Sequence, residues 1–162
     1  MKATVFLGGG RITAALLAGL RLARSQTPIV VHDRNLHKLR ALEREYGVMV
    51  QPDLRSALEQ ASFLILAVRP DSVVEVLEQV RRSFANDLRP AKRPRIACSL
   101  AAGIPLAQLR AELGPPLRWV RAMPSPGARR GRGLTALTFE RGLPDAPRRL
   151  VKRFFAQVGS VY

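Results

Sequence analysis

The stretch that most restricts this chain is "ATVFLGGGRITAALLAGLRLA", residues 3 to 23. An apolar run, Ala3 to Leu7, meets Gly8-Gly9-Gly10 with no polar loop between, and the apolar positions then take up helical spacing at Ile12, Leu16 and Leu20. A continuous apolar run of this length predicts a strand covered on both faces, and the change of period predicts a helix directly after it. Glycines at such a junction let the backbone turn tightly and leave room for something to approach closely.

The same alternation continues along the chain. "PIVVHDR" predicts a second strand and "NLHKLRALEREYG" a helix with Leu36, Leu39 and Leu42 on one face and Gly47 as its stop. "VMV" predicts a short strand, and "PDLRSALEQA" a helix opening at Pro52 and Asp53. "SFLILAV" predicts a buried parallel strand that stops at Arg69-Pro70. A helix over "DSVVEVLEQVRRSF" follows, with Asp71 as its cap. After the polar connection "ANDLRPAKRPR" come the strand "RIACSL", the helix "PLAQLRAELG", the strand "LRWVRAM" and the Gly/Pro/Arg segment "PSPGARRGRG". "LTALTF", a helix over "PDAPRRLVKRFFAQVG" and "SVY" close the chain. Strand alternating with helix predicts an α/β fold: a Rossmann-type doubly wound parallel sheet of six strands, extended by a short extra β-α-β portion at the C-terminus. At 162 residues one domain is expected, spanning 1–162.

In that fold the glycine turn has a chemical meaning. The pyrophosphate of a dinucleotide sits against the N-terminus of the first helix, where free N–H groups and the helix dipole favour negative charge. Gly8 permits the tight turn and Gly10 lets the backbone reach the phosphates; Thr13 stands at the third position of the G-x-G-x-x-G pattern, where Ala is an accepted variant. A ligand-free glycine turn is the simpler alternative. At the end of the second strand an acid would hydrogen-bond the adenosine ribose and repel a 2′-phosphate, whereas an arginine would accept that phosphate. This chain carries both, as Asp33-Arg34, so NADP and NAD remain open. Arg34 is a candidate to stack on adenine or pair with phosphate, or to be a solvated turn residue.

A formal net charge of +15 raises nucleic acid or another polyanion as a partner. The four lysines (Lys2, Lys38, Lys92, Lys152) leave 23 of the 27 basic residues as arginine, spread along the chain with clusters at 89–95 and 129–132. A generally basic surface is the expectation, and nucleic acid is not the expected partner, because the few aromatics are not interleaved with the basic residues. No apolar run approaches the ~20 residues needed to cross a bilayer. The single cysteine, Cys98, excludes an intrachain disulfide and fits a reducing cytoplasm. Cys98 is expected in the core, and neither it nor His32 or His37 has the partners of a metal site, so none is expected.

Four motifs carry a resemblance. "FLGGGRITAALLAGL", "AVRPDSVVEVL", "SLAAGIPLAQL" and "RAMPSPGARRGRGLTAL" stand in the order of the corresponding segments of pyrroline-5-carboxylate reductases, whose later motifs read A-V-K-P, S-I-A-A-G-I and R-V-M-P-N-T-P. The chain is similar to the N-terminal, dinucleotide-binding half of that family along essentially its whole length. It also resembles the F420-dependent NADP oxidoreductases, with the M-P loop favouring the reductases. The resemblance implies hydride transfer from NAD(P)H to a cyclic imine such as 1-pyrroline-5-carboxylate. It implies that Gly8, Gly10, Arg11 and Ile12 line the pyrophosphate turn, and that Asp33 and Arg34 meet the adenosine. Ala67, Val68, Arg69 and Pro70 would face the nicotinamide ribose, with Ala101, Ala102 and Gly103 near the nicotinamide and Met123, Pro124 and Ser125 at the lip.

Departures from the family pattern bear on the substrate. Arg11 replaces an Asn, Arg69 a Lys, and Leu54 stands where an Asn often contacts the cofactor. Arg69 keeps the charge but cannot give up a proton. The N-T-P of the loop reads Ser125-Pro126-Gly127 and is followed by Arg129, Arg130 and Arg132, so an altered substrate is inferred. "GARRGRG" is either a phosphate-binding segment or a mobile loop left loose by a missing covering domain, and the mobile loop is expected. The family's helical domain, which makes the dimer and most of the substrate pocket, is expected to be absent. No catalytic residue is assigned, and a non-catalytic dinucleotide-binding or interaction module is the alternative to a complete enzyme.

Overall fold

In a computed structural model, which describes residues 2–162, the opening run forms β1 (Ala3–Leu7) and its neighbours alternate as the sequence patterning requires. The order is β1, α1 (Arg11–Leu22), β2 (Ile29–His32), α2 (Leu36–Tyr46), β3 (Met49–Val50), α3 (Leu54–Glu59), β4 (Ala61–Leu66), α4 (Val73–Asn86) and β5 (Ile96–Ser99). Then come α5 (Leu106–Glu112), β6 (Arg118–Pro124), β7 (Gly133–Phe139), α6 (Asp145–Ala156) and β8 (Gly159–Val161). One eight-stranded sheet runs β3-β2-β1-β4-β5-β6-β7-β8. The chain winds outward from β1 to β3, then returns to the other side of β1 with β4, so the order reverses between β1 and β4.

Each face of the sheet has its own core. Alternate strand residues, among them Phe6, Val31, Ile65 and Cys98, pack beneath α1, α2 and α6 with Leu16, Leu39 and Phe155. The other set, including Val5, Leu7, Leu64 and Trp119, packs beneath α3, α4 and α5 with Leu58, Leu77 and Leu109. Burial on both faces is why β1 and β4 read as unbroken apolar runs instead of alternating ones. Local signals also set the helix ends. The Asn35 carboxamide accepts from the N–H groups of His37 and Lys38 at 3.0 and 3.3 Å, and Gly47 closes α2 in the left-handed region at φ +66°. At α3 the Asp53 carboxylate accepts from the amide and hydroxyl of Ser56, bonds that hold its carboxyl below the usual range. Among the described residues no helix is long and apolar enough to cross a membrane.

Two expectations need correction, and the extra β-α-β portion joins the sheet in a direction the patterning left unspecified. Asp71 does not cap α4: a short 3-10 turn over Pro70–Ser72 precedes the helix, and Asp71 instead lies 3.7 Å from exposed Arg69. The first six strands are parallel, but β7 runs antiparallel to β6, with β8 parallel to β7. Residues 125–132 between β6 and β7 contain no α-helix, and so short a connection returns a strand beside its predecessor only in the opposite direction. Nor is "GARRGRG" a loose loop. Pro126–Arg130 form a 3-10 turn whose Ala128 is fully buried against α1, and Gly131 closes the turn at φ +69°. The two segments touch backbone to backbone. A Cβ on Gly19 would collide with the Ala128 carbonyl oxygen and come within 2.8 Å of Val158.

The antiparallel addition is tied to the parallel sheet by a carboxylate that sequence patterning does not reveal. Glu140, just after β7, is 5% exposed and accepts from the Trp119 amide at 2.8 Å, Arg118 Nε at 3.1 Å and Arg110 Nε at 3.0 Å. One carboxylate thus joins the end of β7, the start of β6 and α5. Glu140→Ala strands two arginines and a backbone N–H, and is expected to lower stability by roughly 2 kcal/mol and a thermal midpoint by roughly 4–8 °C, measured by denaturant and thermal melts. Cys98 is fully buried, and burial pushes its thiol pKa well above the ordinary range. It is expected to resist a thiol reagent in buffer and react stoichiometrically only in denaturant. Rapid native-state labelling would contradict that core placement.

Candidate functional site

The carboxyl ends of β1, β2 and β4 open on a cleft of about 980 Å³ at the place where the strand order reverses. Open parallel sheets bind ligands at such a reversal, because helices leave the two adjacent strands toward opposite faces and part above them. The floor is the glycine turn. Gly8 sits at φ +112°, and a Cβ there would collide with the Ala67 carbonyl, 2.8 Å from its carbon, so only glycine lets the exits of β1 and β4 lie this close. Gly10 differs: a Cβ there would meet nothing within 4 Å, so its face looks into open space.

Two side chains hold the turn in shape. Thr13, fully buried, donates its hydroxyl to the Gly8 carbonyl at 2.6 Å. That bond shows how the third motif position accommodates a residue bulkier than glycine or alanine. Asp33 accepts from the Gly9 amide at 2.8 Å through one oxygen and from the Asn35 amide at 2.8 Å through the other. Its carboxylate therefore braces the glycine turn against the start of α2. The helix beyond the turn begins at Gly10 with no side-chain cap and no acid in its first turn. The first-turn N–H groups and the positive end of the helix dipole thus face the cleft beside Gly10, Arg11 and Ile12.

The cleft walls bring together most of the residues singled out in the sequence. Gly8, Gly10, Arg11, Ile12, Asp33, Arg34, Ala67, Val68 and Arg69 line it. Pro70, Ala101, Ala102, Gly103, Met123 and Pro124 do not. Pro70 starts the 3-10 turn after β4, and the others follow or close β5 and β6, extending the carboxyl rim of the sheet away from the cleft. Arg34 is exposed and pairs with Glu75 of α4 at 3.4 Å, an ion pair that spans the cleft between its two sides. His32 also lines the cleft, with its Nδ1 donating to the Gln51 carbonyl at 2.9 Å, a bond that fixes the ring against the sheet edge.

Other lining residues were not assigned to the cleft from the sequence. Ser72, Glu75, Val76 and Gln79 form one wall, and their spacing is that of a single helical stripe bordering the buried positions Val73, Leu77 and Val80. Lys38 enters from the first turn of α2, where the Asn35 cap was the available signal. Arg129 arrives from the 3-10 turn after β6, about ninety residues further on, and no local pattern places it here. Leu54 gives an apolar patch where the resemblance leads one to expect an amide.

Comparisons with known proteins identify the family and the fold. A family model described as "NADP oxidoreductase coenzyme F420-dependent" matches residues 4–88, just over half of the 162, and that stretch carries β1 to β4, α1 and α4. The pyrroline-5-carboxylate reductase of Mycobacterium tuberculosis (strain H37Rv) is 32% identical over 165 residues, covering 99% of this chain and 54% of its own length. A solved pyrroline-5-carboxylate reductase from Coxiella burnetii superposes with a TM-score of 0.84 at 27% identity, covering 99% of this chain and 57% of that one. The Plasmodium falciparum pyrroline carboxylate reductase, solved with NADP bound, shares the fold at a TM-score of 0.81 and 15% identity, over 99% of this chain and 56% of its own. The chain thus spans little more than half the length of the relatives it matches. By the match over its glycine turn and first four strands, the chain belongs to the family of coenzyme F420-dependent NADP oxidoreductases, and along its whole length it is similar to pyrroline-5-carboxylate reductases.

Proposed function

We propose that this chain is the dinucleotide-binding domain of an NAD(P)-dependent oxidoreductase of the pyrroline-5-carboxylate reductase type, with the cofactor held in the β1–β2–β4 cleft. The observation that carries the proposal is the uncapped start of α1 behind Gly10, opening into a cleft of about 980 Å³. That volume is at the upper end of small-molecule sites, as a ligand of dinucleotide size requires. Gly10, Arg11 and Ile12 would take the pyrophosphate on backbone N–H groups, and Asp33 and Arg34 would border the adenosine. Ala67, Val68 and Arg69 would lie along the ribose that leads to the nicotinamide.

When bound, the cofactor supplies a hydride to an electrophilic carbon, here that of a cyclic imine. The protein's part is to present one nicotinamide face toward the rim formed by Ala101, Ala102, Gly103, Met123 and Pro124, and to exclude water from it. Arg69 at the β4 exit adds a fixed positive charge beside that path, useful against an anionic substrate but unable to transfer a proton. The departures at Ser125-Pro126-Gly127 favour a substrate other than that of the relatives. A second reading, dinucleotide binding without turnover by this stretch alone, draws on the span of little more than half a relative.

Calorimetric titration with NADH and NADPH, at low salt and at about 0.15 M, tests the proposal. Saturable binding of at least one cofactor that survives the higher salt is expected. Gly10→Glu is expected to abolish binding with little change in thermal midpoint, because its side chain enters open space and places a negative charge before the helix. Binding of neither cofactor, or binding lost at the higher salt, would remove the oxidoreductase reading.

A further inference from the structure

The cleft holds more positive charge than its acids can balance. Five basic side chains line it (Arg11, Arg34, Lys38, Arg69, Arg129) against two acids, Asp33 and Glu75. Arg34 is paired with Glu75, and Arg69 with Asp71 just outside. Both oxygens of Asp33 are already engaged by the N–H groups of Gly9 and Asn35. Among the described residues Arg11, Lys38 and Arg129 are therefore left without a carboxylate partner. A pyrophosphate at the start of α1 would occupy Arg11, the first residue of that helix. Lys38 and Arg129 lie toward the α2 side of the cleft and are free to meet a second anionic group.

Arg129 is placed by rigid structure. Its neighbour Ala128 is buried against Gly19 of α1, and the turn carrying both is closed by Gly131. The arginine's backbone is thereby fixed while its side chain stays exposed, its guanidinium 3.5 Å from the Tyr46 hydroxyl at the end of α2. A planar guanidinium presented this way, in a cleft that Lys38 also lines, suits a phosphomonoester with its double charge and three equivalent oxygens. Asp33 keeps its charge, with both oxygens held on the Gly9 and Asn35 amides, so the two cations must outweigh its repulsion of such a group.

We propose that Arg129 is a phosphate-binding and specificity-determining residue of this cleft, acting with Lys38 on the 2′-phosphate of NADP(H). The inference rests on the dinucleotide reading above and adds that the β6–β7 turn, outside the β-α-β unit, selects between the two cofactors. The test is titration of the full chain and of Arg129→Ala, Lys38→Ala and Arg130→Ala with NADPH, NADH and the probe 2′,5′-ADP, at matched salt. NADPH is expected to bind at least about tenfold more tightly than NADH. Arg129→Ala is expected to weaken NADPH and 2′,5′-ADP by about tenfold, to leave NADH within about twofold, and to keep the thermal midpoint. Lys38→Ala is expected to act in the same direction. Arg130→Ala, which changes net charge equally but does not line the cleft, is expected to change neither cofactor's affinity.

Equal affinity of the wild-type chain for NADPH and NADH would overturn the inference while leaving the dinucleotide reading in place. So would an NADPH preference that persists in Arg129→Ala, or an equal loss in Arg129→Ala and Arg130→Ala, which marks diffuse surface charge. Binding of neither dinucleotide would strike the underlying reading itself.

Discussion

The close passage of Gly8 over Ala67 is the constraint from which the site follows. The two strand exits approach until no side chain fits between them, and backbone bonds fasten them there. The Gly8 amide donates to His32 at 2.8 Å and the Ala67 amide to Leu7 at 2.8 Å. With these ends pinned, α1 and α4 must leave toward opposite faces, and the cleft is the space left where they part. Thr13 and Asp33 then work on the same few atoms, one holding the Gly8 carbonyl and the other the Gly9 amide. The shape offered to a ligand is thus established before any ligand arrives, which lowers the ordering cost of binding.

The extra β-α-β portion has a mechanical role in this scheme. β7 cannot continue the parallel winding, because its connection from β6 is too short for a crossover, and so it adds to the sheet edge in reverse. Glu140 fixes that addition to β6 and α5, while Ala128 and Val158 press on Gly19 at the far end of α1. The helix whose N-terminus opens the cleft is therefore held at both ends, by the glycine turn and by the C-terminal addition. A packed interior of this kind transmits displacement instead of absorbing it. The position of the β6–β7 turn and the aim of the helix start are in this way parts of one assembly.

The fold was legible in the sequence because its signals are local. Apolar runs mark strands covered on both faces, the 3.6-residue spacing marks the helices, and three glycines mark the one junction that needs them. Much of the cleft was indicated as well: Gly8, Gly10 and Asp33-Arg34 by their places after strands, and Arg11, Ile12 and Ala67 to Arg69 by the family resemblance. What escaped depends on tertiary contact. Glu140 reads as a surface acid in "LTFERG" until β6 and α5 are placed around it. Arg129 reads as part of a loose basic loop until Ala128 is found buried against a glycine two turns into α1. Asp71 looked like a cap because its type and position suited one, yet Pro70 starts a 3-10 turn and moves the helix start past it.

The carboxyl rim of the sheet divides into two parts of unequal completeness. Over β1, β2 and β4 the chain closes a cleft with walls from α1, α2, α4 and the turn after β6. Over β5 and β6 it presents Ala102, Gly103, Met123 and Pro124 outside that cleft, with Ala101 buried beneath them and Met123 47% exposed. Under the proposed reading, the charged, non-reacting end of the cofactor is bound wholly by this chain, and the reacting end is supported from one side only. Binding energy gathered at the phosphates serves chemistry only if the nicotinamide end is also fixed and shielded from water. A chain built in this way is therefore expected to recognise its dinucleotide well, whatever supplies the other wall. The identity of the reduced compound would be decided at the β5–β6 rim, beside the Ser125-Pro126-Gly127 segment.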